Sequence, residues 1–410
     1  MADYNTTSPT RNLTTLKPHY MKQIVPAQRI SHVEEYYFSR KLKEIAKMNQ
    51  DGGRPVISLG IGGPDFKPSP ETIMALMEDV MRPDAHSYQS YVGLPELRQA
   101  WASFYKKWYD VTLDPSTEML PLIGSKEGIM HVSMAFLNPG DKVLVPDPGY
   151  PTYTSVSKLV GAEIIKYDLT YENNWEPDFD ALEQIPDIDD VKLMWVNYPH
   201  MPTGHCASRE LLAKIVDFGR RHNIVIINDN PYSFILNDEP MSILQIEGAK
   251  DICLEFNSMS KSHSMAGWRQ GIVSGKKEFI DWIIRVKSNV DSGMFRPMMK
   301  AAIAALNNPS EYYKRQNEAY QVRRIAAEQI MAHLGCEFDP EQRGLFLWGR
   351  IPDSAADCEA ITEPVLQKAR VFITPGFIFG KNGERFIRIS LCAPFEKMQE
   401  ALLRIQAAGL

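Results

Sequence analysis

The stretch Ser258-Met259-Ser260-Lys261-Ser262-His263-Ser264-Met265-Ala266-Gly267-Trp268-Arg269 sets one lysine among four nearby hydroxyls, with an arginine eight residues on. Two short apolar runs bound it, Ile252–Phe256 and Arg269–Ser274, and three more lie upstream at Lys142–Pro146, Lys192–Asn197 and Ile224–Asn228. Helical patterns separate these runs. Near-continuous apolar strands alternating with helices predict a parallel or mixed sheet buried on both faces. Polar residues gather just past the strand C-termini: Asp147-Pro148, Asn197, Asp229, and Ser258 to Lys261. An open α/β sheet builds its site at that edge.

A lysine in a loop is by default a solvated charge. Against that default stand Asp229, directly after its strand, and Tyr232 three residues later. Gly271, Gly275 and Lys276 suggest a phosphate loop, but the spacing is one residue short and lacks the Ser/Thr, so that reading fails. A better anion holder is Ile123-Gly124-Ser125-Lys126-Glu127-Gly128, a glycine turn opening a helix whose free N–H groups and positive dipole end favour a phosphate.

Outward from this centre, the first fifty or so residues form an arm broken by Pro18 and Pro26, with an amphipathic stretch from His32 to Met48. A strand at Val56–Leu59 runs into the turn Gly60-Ile61-Gly62-Gly63-Pro64-Asp65. Beyond residue 275 the pattern predicts a helix over Lys277–Leu306 and a second over Ser310–Leu334, capped by Ser310 and ended by Gly335. Strands at Leu345–Ile351 and Arg385–Leu391 follow, with Thr374-Pro375-Gly376 between them. The expected organisation is an arm and part of a small domain at 1–55, a large domain at 56–290, and a linking helix with an α+β small domain at 291–410.

Composition narrows the class. The 410 residues carry 45 Lys+Arg against 51 Asp+Glu, a formal charge of −6, with 44% hydrophobic residues. Such a chain has ample apolar content for a large core and no electrostatic reason to bind nucleic acid or anionic lipid. No apolar run approaches the roughly 20 residues of a membrane helix, and MADYNTTSPTRN does not read as a signal peptide. Five scattered cysteines without a C-x-x-C pair predict reduced thiols and a cytoplasmic protein. His200, His205 and Cys206 match no common zinc spacing, so no metal is expected. The N-x-Thr matches at Asn5 and Asn12 read as chance.

Nine segments in order carry a resemblance: GIGGPDF (60–66), YQSYVGLPELR (88–98), GSKEG (124–128), DPGYPTY (147–153), NYPHMPTG (197–204), NDNPY (228–232), SMSKSHSMAGWR (258–269), TPGFIFG (374–380) and FIRIS (386–390). Together they are similar to the class I/II aminotransferases, the fold-type-I family that uses pyridoxal phosphate. The resemblance implies an α/β transferase fold, with a mostly parallel sheet between helices in the large domain and a smaller α+β domain. It implies transfer of an amino group between an L-amino acid and a 2-oxo acid. Lys261 matches the Schiff-base lysine that joins the cofactor aldehyde and, once released, moves the proton from substrate Cα. Asp229 matches the carboxylate facing the pyridine nitrogen, and Tyr232 the phenol on the ring oxygen. Tyr150 matches the aromatic stacked on the ring, with Tyr153 as the alternative.

By the same resemblance Arg269, Ser258, Ser125 and Lys126 hold the phosphate. Tyr88 matches a tyrosine that reaches the neighbouring subunit's phosphate, which implies a homodimer. Arg388 matches the arginine that forks onto the substrate carboxylate, and Gly62 the backbone closing over it. Taken singly, Tyr88 and Tyr150 would pass for core aromatics, and Arg388 for a surface ion-pair partner. One position departs from the family, whose N-P-T-G is here Met201-Pro202-Thr203-Gly204. A thioether cannot donate to the ring oxygen as that Asn does. The loss should raise the pKa of the cofactor imine unless Asn197 or His200 compensates.

Two other functions compete. β-Elimination, as in C–S lyases, begins with the same lysine, and a cofactor-binding regulator would need a basic DNA-binding segment that the arm does not supply. The donor pocket is expected from the arm, from Ser292–Arg296 and from a partner subunit. Arg296 is either a distal-carboxylate ligand or an interface arginine.

Overall fold

In the computed structural model, residues 24–410 are described; the beginning of the arm, with Asn5, Asn12 and Pro18, lies outside them. A seven-stranded sheet forms the centre. In chain order its strands are β1 (Met119–Leu122), β2 (Lys142–Asp147), β3 (Glu163–Asp168), β4 (Val191–Val196), β5 (Val225–Asp229), β6 (Cys253–Ser258) and β7 (Gly271–Gly275). Across the sheet the order is β1-β7-β6-β5-β4-β2-β3. Neighbours run parallel except at β7, which is antiparallel to both β1 and β6. The fold is thus α/β with a mostly parallel sheet, as the apolar runs imply.

Two strands escaped the apolar pattern for physical reasons. β3 lies at one edge with only Tyr167 buried, so its sequence EIIKYD is half polar. β1 contains Pro121, which argues against an interior strand, and it takes the opposite edge. β7 begins at Gly271 rather than Arg269, because Arg269 has φ 54° and closes a short 3-10 turn instead of pairing.

The helix expected over Lys277–Leu306 is two helices, Lys277–Lys287 and Arg296–Leu306. The second starts anew with Pro297 in its first turn, where the missing N–H costs nothing. The helix Ser310–His333 takes Pro309 rather than Ser310 as its N-cap, and the chain leaves it through Gly335 at φ 70°.

The C-terminal unit is a four-stranded antiparallel sheet of β8 (Glu337–Phe338), β9 (Phe346–Arg350), β10 (Thr374–Pro375) and β11 (Phe386–Ser390), in the order β10-β11-β9-β8. The N-terminal segment is knitted into it. Ile57–Ser58 pairs in parallel with Val371–Phe372, and Ser390 N–H donates to the Leu59 carbonyl at 2.7 Å. Arg323, on the helix Ser310–His333, clasps Asp65 with two bonds of 2.6 and 2.9 Å. The glycine turn at 60–65 is therefore held over the C-terminal edge of the large sheet. No helix among the described residues is long and apolar enough to cross a membrane.

Candidate active site

The parallel register decides what meets at that edge. Val196 pairs with Asn228 and Asp229 with Phe256, so Asn197, Asp229 and Ser258 emerge together from β4, β5 and β6. They open into a cavity of about 490 Å³. Of the residues singled out in the sequence, Gly62, Ser125, Lys126, Tyr150, Asn197, Asp229, Tyr232, Ser258, Lys261, Arg269 and Arg388 all line it. Tyr88 does not: it stands 90% exposed, away from this chain's own cavity.

One end of the cavity is built for an anion. Gly124 precedes the helix Ser125–Phe136 at φ 78°, and a Cβ there would lie 1.9 Å from Nη2 of Arg269. Only glycine lets the guanidinium reach the helix N-terminus. Arg269 Nη1 donates to the Ala266 carbonyl at 2.8 Å and to Ser260 Oγ at 3.4 Å. Ser258 Oγ accepts from the Ser260 N–H at 3.2 Å. The Lys126 ammonium lies 4.6 Å over the Tyr36 ring, so its direct electrostatic reach differs from that of its backbone N–H. Burial, and then the Arg269 charge, pull its pKa down. Among the described residues no carboxylate neutralises either cation, and a bound anion would relieve both.

At the centre, Asp229 Oδ2 accepts from the Tyr153 hydroxyl at 2.9 Å, while Oδ1 is buried with no partner. Burial pushes the Asp229 pKa up to about 6, against the lowering effects of Tyr153 and Lys261. A buried carboxylate with one orphan oxygen is expensive unless a cation meets it. Tyr153 stacks on Trp195 at 4.9 Å in the core, leaving Tyr150 as the cavity-lining member of the pair. Lys261 Nζ donates to the Gly62 carbonyl, and burial lowers its pKa. That favours the neutral amine, the form that attacks a carbonyl. Burial also keeps Tyr232 a neutral phenol, its pKa raised.

Asn197 is tied to the backbone, its Nδ2 donating to the Asp229 carbonyl and its Oδ1 accepting from the Met201 N–H at 2.8 Å. One Nδ2 hydrogen is left over. His200 is not brought to the cavity: its Nδ1 meets Thr203 Oγ1 at 2.8 Å, and burial drives its pKa down to about 3. Of the two compensating groups raised by the sequence, only Asn197 is positioned to act. Met201 itself lines the cavity, with Sδ 3.1 Å from Arg388 Nη1.

Arg388, on β11, is buried among Phe346, Phe379 and Phe38, whose ring centres lie 3.9, 4.6 and 5.7 Å from its guanidinium carbon. Nη2 donates to the Gly60 carbonyl at 2.9 Å, and Nε has no partner. Desolvation lowers its pKa to about 10, still charged at neutral pH. Ser292–Arg296 does not line this chain's own cavity. Arg296 is instead paired with Asp79 at 3.2 Å and Asp84 at 2.7 Å. The arm contributes Tyr36, Phe38 and Leu42, of which the aromatic run Tyr36-Tyr37-Phe38 marks only the first two. Phe346 and Phe379, which cage Arg388, carried no signal beyond ordinary core hydrophobicity.

Glu127, His131 and Asp291 form one metal-type cluster among the described residues. Lys287 already holds Asp291 at 2.7 Å, and Glu127 accepts from the Ile123 N–H at 2.6 Å, so the cluster reads as a structural brace behind the glycine turn.

The family model of aminotransferase class I and II matches residues 54–405. The LL-diaminopimelate aminotransferase of Dehalococcoides mccartyi (strain ATCC BAA-2266) is 40% identical over 382 residues, covering 92% of this chain and 97% of that protein. That of Aquifex aeolicus is 40% identical over 387 residues, covering 93% and 98%. Among solved structures, substrate-bound BacF from Bacillus subtilis superposes with a TM-score of 0.88 at 34% identity, covering 94% of this chain and 98% of that one. The elimination alternative draws no support from these relatives. With the lysine, the orphan carboxylate oxygen and the carboxylate-free cations in one cavity, the chain belongs to the class I and II aminotransferases, enzymes that use pyridoxal phosphate to move an amino group between an amino acid and a 2-oxo acid.

Proposed function

We propose that Lys261 is the residue joined to the cofactor and that Asp229, Tyr232, Arg269 and Arg388 divide the remaining work. The single observation that carries this reading is the pairing of an orphan Asp229 Oδ1 with the uncompensated cations Lys126 and Arg269 around the Lys261 amine. Pyridoxal phosphate fits that set: its ring nitrogen suits the unpaired carboxylate oxygen, its phosphate the glycine turn and Arg269, and its aldehyde the lysine. When bound, the ring supplies a sink for the electron pair left when the donor Cα–H breaks. Asp229 holds a proton at the ring nitrogen. Tyr232 and the spare Nδ2 hydrogen of Asn197 donate toward the ring oxygen, and Tyr150 covers a ring face. Arg388 Nε, an N–H without a partner, orients the donor carboxylate. Lys261 Nζ, its pKa lowered by burial, takes the proton from Cα and returns it.

We further propose a homodimer in which Tyr88 completes the partner's site. Its exposure supports this, as does the helix Pro70–Val80, where Met74, Met77 and neighbouring Met81 are all exposed. Spacing of three and four residues puts these methionines on one face, an apolar patch unusual for a monomer surface. A cytoplasmic location is supported by five free cysteines. The relatives' donor, LL-diaminopimelate, is a candidate donor on their likeness alone.

The experiment is a pair of half-reactions. An amino acid should bleach the visible absorbance of the holoenzyme and a 2-oxo acid should restore it. Release of ammonia and a 2-oxo acid without an acceptor would indicate elimination and contradict this reading.

A further inference from the structure

Of the polar residues at the C-terminal ends of the strands, Asp147 is the one that the proposed function leaves without a task. It is buried at the end of β2, three residues ahead of Tyr150. Both carboxylate oxygens are taken by backbone groups of a distant turn: Oδ2 accepts from the Lys381 N–H at 3.1 Å and Oδ1 from the Asn382 N–H at 3.0 Å. The same short segment grips that turn twice more. The Asp147 carbonyl accepts from Asn382 Nδ2 at 3.0 Å, and the Gly149 N–H donates to the Phe379 carbonyl at 2.8 Å. Asn382 Nδ2 also reaches Asp168, on β3, at 2.8 Å. Gly380 permits the close approach, since a Cβ there would lie 2.1 Å from Asp147 Oδ1 at a φ of 142°. Phe379 stands at the head of this turn, its ring centre 4.6 Å from the Arg388 guanidinium carbon, and it lines the cavity together with Tyr150. One carboxylate therefore ties the residue proposed to cover the cofactor ring to the aromatic wall around Arg388.

We propose that Asp147 is a positioning residue for the substrate α-carboxylate. By anchoring the Phe379 turn to the segment that carries Tyr150, it sets Arg388 against the cofactor ring and so aligns the donor Cα–H with Lys261. This inference deepens the transamination reading and rests on Arg388 as the α-carboxylate ligand. Its physical basis is the strength and direction of the grip: hydrogen bonds to an ionised acceptor exceed neutral ones, and successive backbone N–H groups form a concave seat for a carboxylate. Asp147 acts on the group that every α-amino acid shares, so its effect is independent of the donor side chain. The phosphate is held elsewhere, by the Gly124 turn and Arg269, so cofactor affinity changes little when Asp147 is lost.

The test compares two amines bound to the holoenzyme, followed by spectral titration. They are 2-aminoisobutyrate, which has no Cα proton to give, and tert-butylamine, in which a methyl replaces its carboxylate. Asp147→Ala should weaken 2-aminoisobutyrate by roughly 10-fold or more, with tert-butylamine and pyridoxal phosphate each within ~3-fold of wild type. Asp147→Asn, which keeps one acceptor, should fall between. Should Asp147→Ala fail to fold, Asn382→Ala removes only the side-chain bonds of the turn and should show the same pattern in milder form. In single turnover, the half-saturating concentration of every donor that bleaches the holoenzyme should rise by a common factor. Equal weakening of both amines, unchanged binding of 2-aminoisobutyrate, or a factor that varies with the donor side chain would overturn the proposal. Arg388→Ala separates the two readings. If it leaves the preference for 2-aminoisobutyrate intact, the assignment of Arg388 fails; if it abolishes the preference and Asp147→Ala does not reduce it, this inference alone fails.

Discussion

The thioether sulfur of Met201 lies 3.1 Å from Nη1 of Arg388. A residue that would ordinarily serve the cofactor is turned instead onto the arginine proposed to hold the substrate carboxylate. Sulfur is a weak acceptor, so the contact steers the guanidinium without neutralising it. With Nη2 on the Gly60 carbonyl and three aromatic rings around it, Arg388 keeps only Nε unpartnered.

Met201→Asn should restore a donor toward the ring oxygen and so stabilise the unprotonated form of the lysine–cofactor linkage. A hydrogen bond to a charged group is worth about 1.5–3 kcal/mol, equivalent to roughly one to two pH units. A spectral titration of the holoenzyme should show its visible transition move to lower pH by about that amount. An unchanged transition would show that Tyr232 and Asn197 already saturate the ring oxygen and would contradict a loss of stabilisation at Met201.

Asp229→Asn should stabilise the apoprotein while ruining the holoenzyme. The folded pKa of Asp229 is raised to about 6 by burial. Its unfolded value is near 3.9, so the neutral carboxyl's stabilising contribution is complete below about pH 4 and is lost as pH rises to about 6. Above that range the wild-type apoprotein bears a penalty of about 2–3 kcal/mol that the amide lacks. Thermal melts of the two apoproteins should nearly coincide at pH 4 and diverge by pH 7, with the variant higher. Divergence in the opposite direction would show that Asp229 is compensated in the apoprotein.

Gly124→Ala should weaken the cofactor site. The new Cβ falls on the Arg269 guanidinium, and its φ of 78° is unfavourable for any side chain. The backbone cost is about 1 kcal/mol. Loss of the arginine contact should add enough to raise the Kd for pyridoxal phosphate by roughly 10- to 100-fold. Absorbance titration of the apoprotein measures it.

Mixing subunits tests the shared site. Tyr88→Ala and Lys261→Ala homodimers should each be impaired. After co-refolding, a mixed dimer regains one site with Lys261 from one chain and Tyr88 from the other. Recovered activity is expected; no recovery, with mixed dimers demonstrated by mass, would contradict the shared site.

The large sheet was legible because β2, β4, β5 and β6 are buried along nearly their whole length and so read as apolar runs. Its edges were not, since half-solvated β3 and proline-bearing β1 lack that pattern. Lys261 and Asp229 were legible because they stand at or just past the C-terminal ends of β6 and β5, and Arg269 because it stands just ahead of β7. Arg388 needed the family resemblance, being one arginine in an alternating strand. Leu42, Phe346 and Phe379 could not be found from sequence, because a hydrophobe lining a cavity and one filling a core are the same residue. The ion pairs of Arg296 with Asp79 and Asp84 join segments far apart in the sequence, which no local pattern reveals.

The proposed linkage joins the cofactor to Lys261. Borohydride reduction of the holoenzyme followed by peptide mass mapping tests it directly. The reduced cofactor should be found on the peptide containing Lys261 and should be absent from Lys261→Ala. Labelling at Lys126 or Lys276 in the wild type, or labelling of Lys261→Ala at wild-type levels, would contradict the account.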